Sequence, residues 1–388
     1  MAYSYSRIVL TCGVSAFGGR NAGRDWATRG GWLRFPSPGP AAEPPEGRSE
    51  EEALERFRAA CAPPGALSSA LADEPRVSAE FSALALLRRE RRLAERPVID
   101  LIHTSTFDGA AAAVFVGKAL QEAFQARVDL APVRMDVNDR DALRGHMSTF
   151  MLTVADRLRR GVPTHTCFAP LGGYKVMTSL GYLAGAYCGY PTLYAHEDNQ
   201  VLHEIPAIPV RVSREDVEAL APLMRRTWQL IELARLSTEE IGQVQRNPWL
   251  FERDDEHAAV NAFGRFLMKE PAYQDLFAPR LLVAREVDRD LADDGRRGFV
   301  EQQLRALSEK LRAGGADADL VHERTWGLSH PTRHAYKGAS NGVHAFRCLY
   351  EWADGTLRVL SAWTDHAAYE RQIRARWDQP DPEYVEWK

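Results

Sequence analysis

Four side chains that can carry charge or transfer a proton occur close together near the end of the chain: Lys337, Arg347, His366 and Tyr369. The surrounding residues 324–377 hold eight Lys or Arg against four Asp or Glu, although the whole chain has a net charge of −4. This local basic excess is typical of a surface that contacts phosphate. A solvated charged face is the alternative. Arg347 favours the phosphate interpretation, because it falls inside a predicted apolar strand where an unpaired charge is costly.

These residue types, without a carboxylate cluster, suit a cleavage of RNA that needs no metal ion. In that reaction the 2′-hydroxyl attacks the adjacent phosphate and a base removes its proton, while cations hold the extra negative charge and an acid protonates the 5′-oxygen. Histidine can perform either proton transfer near neutral pH. His330, His334 and His344 occur in the same stretch. Lone histidines are more often structural, so His330 and His344 are assigned no role.

A second group of candidates follows predicted strands in the first 212 residues. Glycine lets a backbone approach a phosphate, and the N-terminus of the next helix supplies N–H groups and a positive dipole end. Ordinary turns that need glycine are the alternative. The chain has neither Gly-x-Gly-x-x-Gly nor Gly-x-x-x-x-Gly-Lys-Ser/Thr, which argues against a dinucleotide cofactor and a P-loop. The candidates are Thr11, Gly13 and Ser15; Thr104, Thr106 and Gly109; and Gly172, Gly173, Tyr174 and Lys175.

An alternation of strands and helices would position these turns. Short connections between them imply a parallel sheet with right-handed crossovers, whose ligands lie at the carboxyl ends of the strands. We therefore predict an α/β fold, a Rossmann-like doubly wound parallel sheet, over residues 1–212. Strands are predicted at residues 7–12, 98–103, 130–137, 165–170 and 191–195, and helices at 78–95, 110–125, 139–160 and after 175.

The remaining segments have different patterns. Residues 36–75 are a proline-rich insertion with too few apolar residues for a domain, and their helix opens with a capping box at Ser49. Residues 213–278 are helical, with helix starts marked by Ser213 and Ser237. Residues 279–388 form a small α+β domain. Its elements are predicted at 281–287 (strand), 298–311 (helix ending at Gly314-Gly315), and 343–352 and 356–363 (a hairpin around Asp354-Gly355).

The composition is that of a folded protein, with 45% hydrophobic and 26% charged residues. Five cysteines without a Cys-x-x-Cys pair argue against a disulfide framework or a structural zinc site, and a reducing cytoplasm fits best. The first residues lack the basic and apolar regions of a signal peptide. The uncharged residues 176–196 contain Pro191, so a buried helix, a turn and a strand are predicted there rather than a membrane span.

Several motifs of the first domain occur together in one known family. They are Gly-Gly-Tyr-Lys at 172–175 opening a helix, Gly-Tyr-Pro-Thr-Leu-Tyr at 189–194, and Ile-His-Thr-Ser-Thr-Phe-Asp-Gly at 102–109. With the first loop at 11–15, they resemble the CARF sensor domains of type III CRISPR effectors, although Ala-Phe-Gly-Gly-Arg at 16–20 replaces the usual Thr-Asn. The resemblance implies a homodimer that binds a cyclic oligoadenylate, expected to be cyclic tetra-adenylate. Lys175 and Ser15 would take part if the domain also weakly cleaves its ligand.

The tail has its own set of motifs. They are His-Ala-Tyr-Lys-Gly at 334–338, Phe-Arg-Cys-Leu-Tyr at 346–350, Leu-Arg-Val-Leu at 357–360 and Asp-His-Ala-Ala-Tyr at 365–369. They resemble the RelE family of ribosome-dependent mRNA interferases. The resemblance implies that Lys337 and Arg347 stabilise the phosphorane. It further implies that His366 is a general acid or base and that Tyr369 orients or stacks on a base.

Both resemblances together imply a CARF–winged-helix–RelE fusion. The ring would bind the dimeric sensor and release two ribonuclease domains to cleave mRNA in the ribosomal A site, with no cofactor and no membrane. Residues 213–278 would be the winged-helix connector, with a plain helical spacer as the alternative. A ligand-responsive transcription regulator that binds DNA through this middle region is the alternative function. The presence of Lys337, Arg347, His366 and Tyr369 together favours the nuclease.

Overall fold

The computed structural model describes residues 4–18, 21–36, 39–72, 77–135, 140–196, 201–208, 210–277, 280–292, 296–313, 318–340, 344–353 and 356–387. Contacts divide the chain into two compact units. The first comprises Met1–Ser213 and Asn261–Glu270, and the second comprises Arg214–Val260 and Pro271–Lys388. Each unit has its own sheet and its own hydrophobic core.

Strands and helices alternate through most of the first 213 residues, as predicted. The elements are β1 (Tyr5–Cys12), α1 (Ala22–Arg29), α2 (Glu50–Cys61), α3 (Ser68–Leu71), α4 (Ala79–Arg89), β2 (Leu93–Thr104), α5 (Phe107–Phe124), β3 (Arg127–Val133), α6 (Arg140–Arg159), β4 (Thr166–Ala169), α7 (Lys175–Cys188), β5 (Thr192–His196) and β6 (Val201–Ile205).

The strands of this unit form a six-stranded sheet in the order β3-β2-β1-β4-β5-β6. All neighbours are parallel except β5 and β6, which are antiparallel. The centre of the sheet is apolar, and Ile8 of β1 is in register with Ile99 of β2 and Cys167 of β4, all without exposed surface. The predicted Rossmann-like α/β fold is confirmed.

One charged group interrupts this apolar sheet. Asp100 of β2 has no exposed surface, and its carboxylate pairs with Arg7 of β1 and, at 3.1 Å, with Arg157 of α6. A buried carboxylate is tolerated only when cations and hydrogen bonds replace its hydration. The triad therefore joins two adjacent strands to the helix that covers them.

The proline-rich insertion contributes to the core instead of standing apart. Its capping box at Ser49 is confirmed and opens α2. Phe57 of α2 has no exposed surface, and its ring packs on those of Phe17 and Trp26 at 6.3 and 5.7 Å between centroids. The few apolar residues of this segment are thus buried against the sheet domain.

Several predicted bounds differ in the structure. The helix predicted over 78–95 ends at Arg89, because Arg91 adopts a left-handed conformation (φ 58°) and Leu93 already pairs with Tyr5 of β1. Strand β6 was not predicted. The uncharged segment forms α7, a turn and β5, as predicted. No helix among the described residues is long and apolar enough to cross a membrane.

The second half of the chain mixes short helices with small sheets. Its elements are α8 (Arg214–Arg226), β7 (Ile231–Glu232), α9 (Thr238–Arg246), β8 (Phe251–Arg253), β9 (His257–Val260), α10 (Ala262–Lys269), α11 (Gln274–Phe277), β10 (Arg280–Ala284), α12 (Arg285–Ala292), α13 (Arg297–Ala313), β11 (Arg333–Ser340), β12 (Ala345–Ala353), β13 (Thr356–Trp363), α14 (His366–Trp377) and β14 (Tyr384–Glu386).

The middle region is not purely helical. Helices α8 and α9 begin directly after Ser213 and Ser237, as predicted, and Ser237 forms a capping box. Three short strands, which were not predicted, form an antiparallel sheet in the order β7-β9-β8. Helix α10 joins the first unit, where Arg159 of α6 pairs with the buried Glu270.

The tail contains a five-stranded sheet in the order β11-β12-β13-β10-β14. The predicted hairpin is confirmed by the pairing of Ala353 with Thr356, although Asp354-Gly355 lies outside the described residues. Gly314-Gly315, expected to end a helix, also lies outside them. The strand predicted over 281–287 ends at Ala284, because α12 begins at Arg285. Elements β11, α14 and β14 were not predicted. One face of the sheet packs on α12 and α13, and the other on α14.

We expect Asp100→Asn to destabilise the first unit by about 3–5 kcal/mol, because it leaves two partly buried arginines without their counter-charge. Asp129→Asn is the matched control, since Asp129 is the register partner of Asp100 on β3 but forms a more exposed pair with Arg127. This control should change stability by less than about 1 kcal/mol. Urea unfolding followed by circular dichroism measures both, and equal effects would contradict the structural role of the triad.

Candidate functional site

The strand order brings the three candidate turns of the first unit to one edge. Strand β1 lies between β2 and β4, and all three are parallel. The connections on the two sides of β1 therefore run in opposite directions, so the carboxyl ends of β1 and β4 are the switch point at which open α/β sheets place their ligand crevice. All of the candidate ligand residues lie at or directly after the ends of β1, β2 or β4. The structure thus makes neighbours of turns that are far apart in sequence.

The turns after β1 and β4 are in direct backbone contact. A Cβ atom on Gly13 would lie 2.5 Å from the backbone nitrogen of Gly173, and one on Gly172 would collide with the nitrogen of Gly13. Gly173 has a φ of +95°, which residues with a side chain rarely adopt. Thr11 is fully buried and its Oγ1 accepts a hydrogen bond of 3.3 Å from the Gly172 N–H. The close contact of the two turns requires Gly13 and Gly172, and the φ of Gly173 favours glycine there. Thr11 links the two turns and does not face solvent.

A buried carboxylate that the sequence did not reveal organises the first turn. Glu80 of α4 has no exposed surface and accepts hydrogen bonds from the Gly13 N–H (2.9 Å) and the Ser15 hydroxyl (3.0 Å). Burial raises the pKa of Glu80, although these hydrogen bonds act in the opposite direction. The candidate residues Gly13 and Ser15 are therefore held by a protein group. Glu80 lies on a predicted helix, but nothing in its spacing distinguished it from a solvated position.

The turn after β2 forms a cap for α5. Thr106 is the N-cap residue, its Oγ1 accepts from the Gly109 N–H at 3.3 Å, and it lies 2.9 Å from Thr104 Oγ1. A Cβ on Gly109 would lie 2.7 Å from the carbonyl oxygen of Thr104, so glycine is needed there. Thr104 and Gly109 are buried, whereas Thr106 is exposed. Of the three candidates in this turn, Thr106 is thus the one that a ligand can reach.

Gly173, Tyr174 and Lys175 are the exposed part of the third turn. Lys175 is the first residue of α7, and Tyr174 precedes it with 41% of its surface exposed. Within the part of the chain that the structure describes, no ion pair involves Lys175. An exposed ammonium beside the positive end of a helix dipole favours the binding of an anion.

In the tail, strand pairing aligns two of the candidate cations. Lys337 of β11, Arg347 of β12 and Trp363 of β13 are consecutive partners across the sheet. Partners in register lie on the same face. Ala335 and Leu349, on this face, share a core cluster with Tyr369 of α14. Lys337 and Arg347 therefore lie on the face that α14 covers, where His366 and Tyr369 are also found.

Arg347 is a buried cation that has no carboxylate partner among the described residues. Only 7% of it is exposed, and its Nη1 donates to the carbonyl oxygens of Phe346 (2.7 Å) and Gly338 (3.3 Å). No carboxylate of the described residues lies within ion-pair distance of it, and its buried Nε has no hydrogen-bond partner among them. Burial lowers the pKa of Arg347. A bound anion would supply the interactions that the guanidinium lacks.

Tyr369 is the centre of an aromatic cluster. Its ring has no exposed surface and lies 6.0 Å from that of His322, 6.4 Å from His366 and 5.3 Å from Trp363. Burial raises the pKa of Tyr369 to about 12, so the phenol is neutral at physiological pH. The ring can hold the two imidazoles in place. Stacking on a base, which the resemblance implied, does not fit a ring without exposed surface.

His322 is the residue that sequence reasoning missed in this cluster. It lies in a 3-10 segment, Ala318–Trp326, and its ring is inclined by only 20° to that of Tyr369. Burial lowers the pKa of His322, and the charges of Arg347 and Lys337 lower it further. No motif marked this histidine, because it reaches the site from an irregular segment ahead of β11.

The other tail histidines have structural partners. His330 Nδ1 accepts from the Arg333 N–H at 3.1 Å, and His334 Nδ1 lies 3.0 Å from the carboxylate of the buried Glu323. His344 lies 5.9 Å from the ring of Phe299. These positions agree with the low expectation for His330 and His344.

We expect Glu80→Gln to remove a pH dependence of stability. The raised pKa means that the folded state holds this proton more tightly than the unfolded chain does. The contribution of Glu80 to the free energy of unfolding is therefore greatest below its ordinary pKa near 4.5 and falls as pH rises through the raised folded value. Glutamine keeps the acceptor for Gly13 and carries no charge, so the variant should be at least as stable as the wild type at pH 8.

Thermal unfolding between pH 4 and pH 8 measures this effect. Glu90→Gln at the opposite end of the same helix is the control, because Glu90 is exposed. A wild-type slope retained in Glu80→Gln would contradict the assignment.

Comparison with known proteins gives one match. A family model described as CRISPR-associated protein (Cas_APE2256) matches residues 75–208. The matched stretch runs through β2 to β6 and includes the turns after β2 and β4. No curated protein matches the chain. Residues 75–208 are thus similar to a CRISPR-associated family, which supports a CRISPR-related role for the chain.

Proposed function

We propose that the chain is an endoribonuclease of type III CRISPR defence, activated by a cyclic oligoadenylate, that cleaves mRNA in the ribosomal A site. The observation that carries the proposal is the grouping of Lys337, Arg347 and His366 around Tyr369 on one face of the tail sheet. These residues come from β11, β12 and α14. Among the described residues the buried guanidinium of Arg347 has no carboxylate partner, and a bound phosphate would supply one.

The proposed chemistry uses these side chains directly. The 2′-oxygen forms a bond to phosphorus, the bond from phosphorus to the 5′-oxygen breaks, and a 2′,3′-cyclic phosphate and a 5′-hydroxyl result. One proton leaves the 2′-hydroxyl and one is delivered to the 5′-oxygen. Lys337 and Arg347 would hold the charge that develops on the non-bridging oxygens. His366 would carry one of the two proton transfers.

The crevice of the first unit supports binding of a phosphate-rich ring. Lys175 and the N-terminus of α7 offer positive charge at its edge, and Thr106 offers an exposed hydroxyl. Cyclic tetra-adenylate has two-fold symmetry, so two copies of the chain could each bind half of it. Ser15, which Glu80 holds, would take part together with Lys175 if the ring is also slowly cleaved.

Activation requires two states of the proposed dimer. The ring can shift their populations only by binding one state more tightly than the other. The helices α8 and α9 with the β8-β9 hairpin support a winged-helix connector in the middle region. Helices α8 and α9 and this hairpin also favour the second candidate function, a ligand-responsive regulator that binds DNA. That candidate predicts ring-dependent DNA binding without RNA cleavage.

The first test of the proposal uses purified protein and ribosomes programmed with a short mRNA. We expect cleavage at the A-site codon with cyclic tetra-adenylate and little without it, and primer extension maps the cut. Linear tetra-adenylate is the matched ligand control. Lys175→Ala should raise the ring concentration needed for half-maximal cleavage, because it removes the exposed charge at the crevice. Absence of ring-dependent cleavage in the wild type would refute the proposed nuclease.

Removal of the tail cations tests the active site separately. We expect Lys337→Ala to lower the cleavage rate by about 10²–10³-fold, since it removes a charge that stabilises the transition state. Lys337 is exposed, so folding and ring binding should be retained. Arg374→Ala removes an exposed charge from α14 outside the cluster and serves as the control. Equal rates for both variants would exclude Lys337 from the reaction.

A further inference from the structure

The tail cluster contains one titratable side chain that the proposed function has not used. His322 is half-buried, and its ring lies 6.0 Å from Tyr369 and inclined by 20° to it. The centroid of the His366 ring lies 6.4 Å from that of Tyr369, and the two ring planes are inclined by 20°. Two imidazoles are thus held by one buried ring, beside the cations Lys337 and Arg347.

We propose that His322 is the general base that removes the proton from the attacking 2′-hydroxyl, while His366 is the acid that protonates the 5′-oxygen. This inference rests on the proposed ribonuclease function. RNA cleavage by this route needs two proton transfers, one from the 2′-hydroxyl and one to the 5′-oxygen. Two imidazoles can divide these transfers between them. At the end of the reaction His322 holds the proton of the 2′-hydroxyl and His366 has lost one, so the protons balance.

The surroundings of the two histidines suit different tasks. A base must be neutral before it reacts, and burial together with the nearby Arg347 and Lys337 lowers the pKa of His322. The proposed acid, His366, is the first residue of α14, and its Nε2 lies 3.2 Å from the carboxylate of Glu370. Different environments of two titratable groups are a common way to divide acid and base roles.

The hydrogen bond of His322 also fits a base. Its Nδ1 lies 3.3 Å from Thr325 Oγ1. When Nδ1 donates to this hydroxyl, Nε2 carries the free lone pair that accepts a proton. The contact with Thr325 thus orients the imidazole in a way compatible with this tautomer, and the ring of Tyr369 lies nearly parallel to it. A residue that only filled space would need neither the hydrogen bond nor the adjacent cations.

The test uses the full chain, cyclic tetra-adenylate and programmed ribosomes. We expect His322→Phe to lose about 10²–10⁴-fold in cleavage rate, because phenylalanine keeps the ring against Tyr369 but cannot accept a proton. We expect His322→Ala to be similarly slow and to be partly restored by added imidazole. A His322→Phe protein that binds the ring and cleaves at the wild-type rate would overturn the inference and show that only packing is needed.

An mRNA with sulfur in place of the scissile 5′-oxygen separates the base from the acid. A thiolate leaves without protonation, so this substrate should restore cleavage by His366→Ala but not by His322→Ala. Restoration of His322→Ala instead would reverse the two roles and overturn the assignment. If the wild-type protein cleaves neither mRNA, the proposed nuclease is refuted. If the wild type cleaves and the His322 variants cleave at the same rate, only this inference is refuted.

Discussion

Parallel pairing of β1 with both β2 and β4 is the constraint on which the first unit depends. It places three carboxyl strand ends side by side and forces the following turns into a shared space. The turns can meet only because Gly13 and Gly172 lack side chains at the point of contact. The apolar register of β1 fixes the pairing, since a shift would move Ile8 away from Ile99 and Cys167. The crevice is therefore a consequence of strand order and of backbone approach.

Each unit buries one ionisable side chain, and the two differ in how far the protein replaces the hydration that they lose. Glu80 loses hydration but receives hydrogen bonds from Gly13 and Ser15, so it is satisfied within the chain. Arg347 loses hydration, and among the described residues it donates only to carbonyl oxygens while its Nε has no hydrogen-bond partner. The first arrangement builds a rigid turn. The second leaves a cation that a bound anion would satisfy, and the proposed chemistry therefore uses Arg347 to hold the phosphate.

Local signals predicted the regular elements well where one pattern dominated. The capping boxes at Ser49 and Ser237 marked the starts of α2 and α9, because their hydrogen bonds close within four residues. Strand β11 and helix α14 were missed, since their hydrophobic pattern is interrupted by charged residues such as Lys337. The helix predicted over 78–95 is longer than α4, because nothing local indicates that Leu93 pairs with Tyr5. Pairing over long sequence distances overrides local propensity.

By itself, the sequence determined the alternation that produces a Rossmann-like sheet, the glycine-rich turns at its strand ends, and the candidate set Lys337, Arg347, His366 and Tyr369. The alternation and the turns are local features, since each depends on neighbouring residues, whereas the four tail residues stand out by type and by the motifs around them. Only the tertiary structure decided that Glu80 lies beneath the first turn and that His322 lies against Tyr369. Both arrive from segments whose own patterns carry no chemical signal. Contacts between distant segments depend on how the elements pack, and one sequence read in order does not contain that information in any local form.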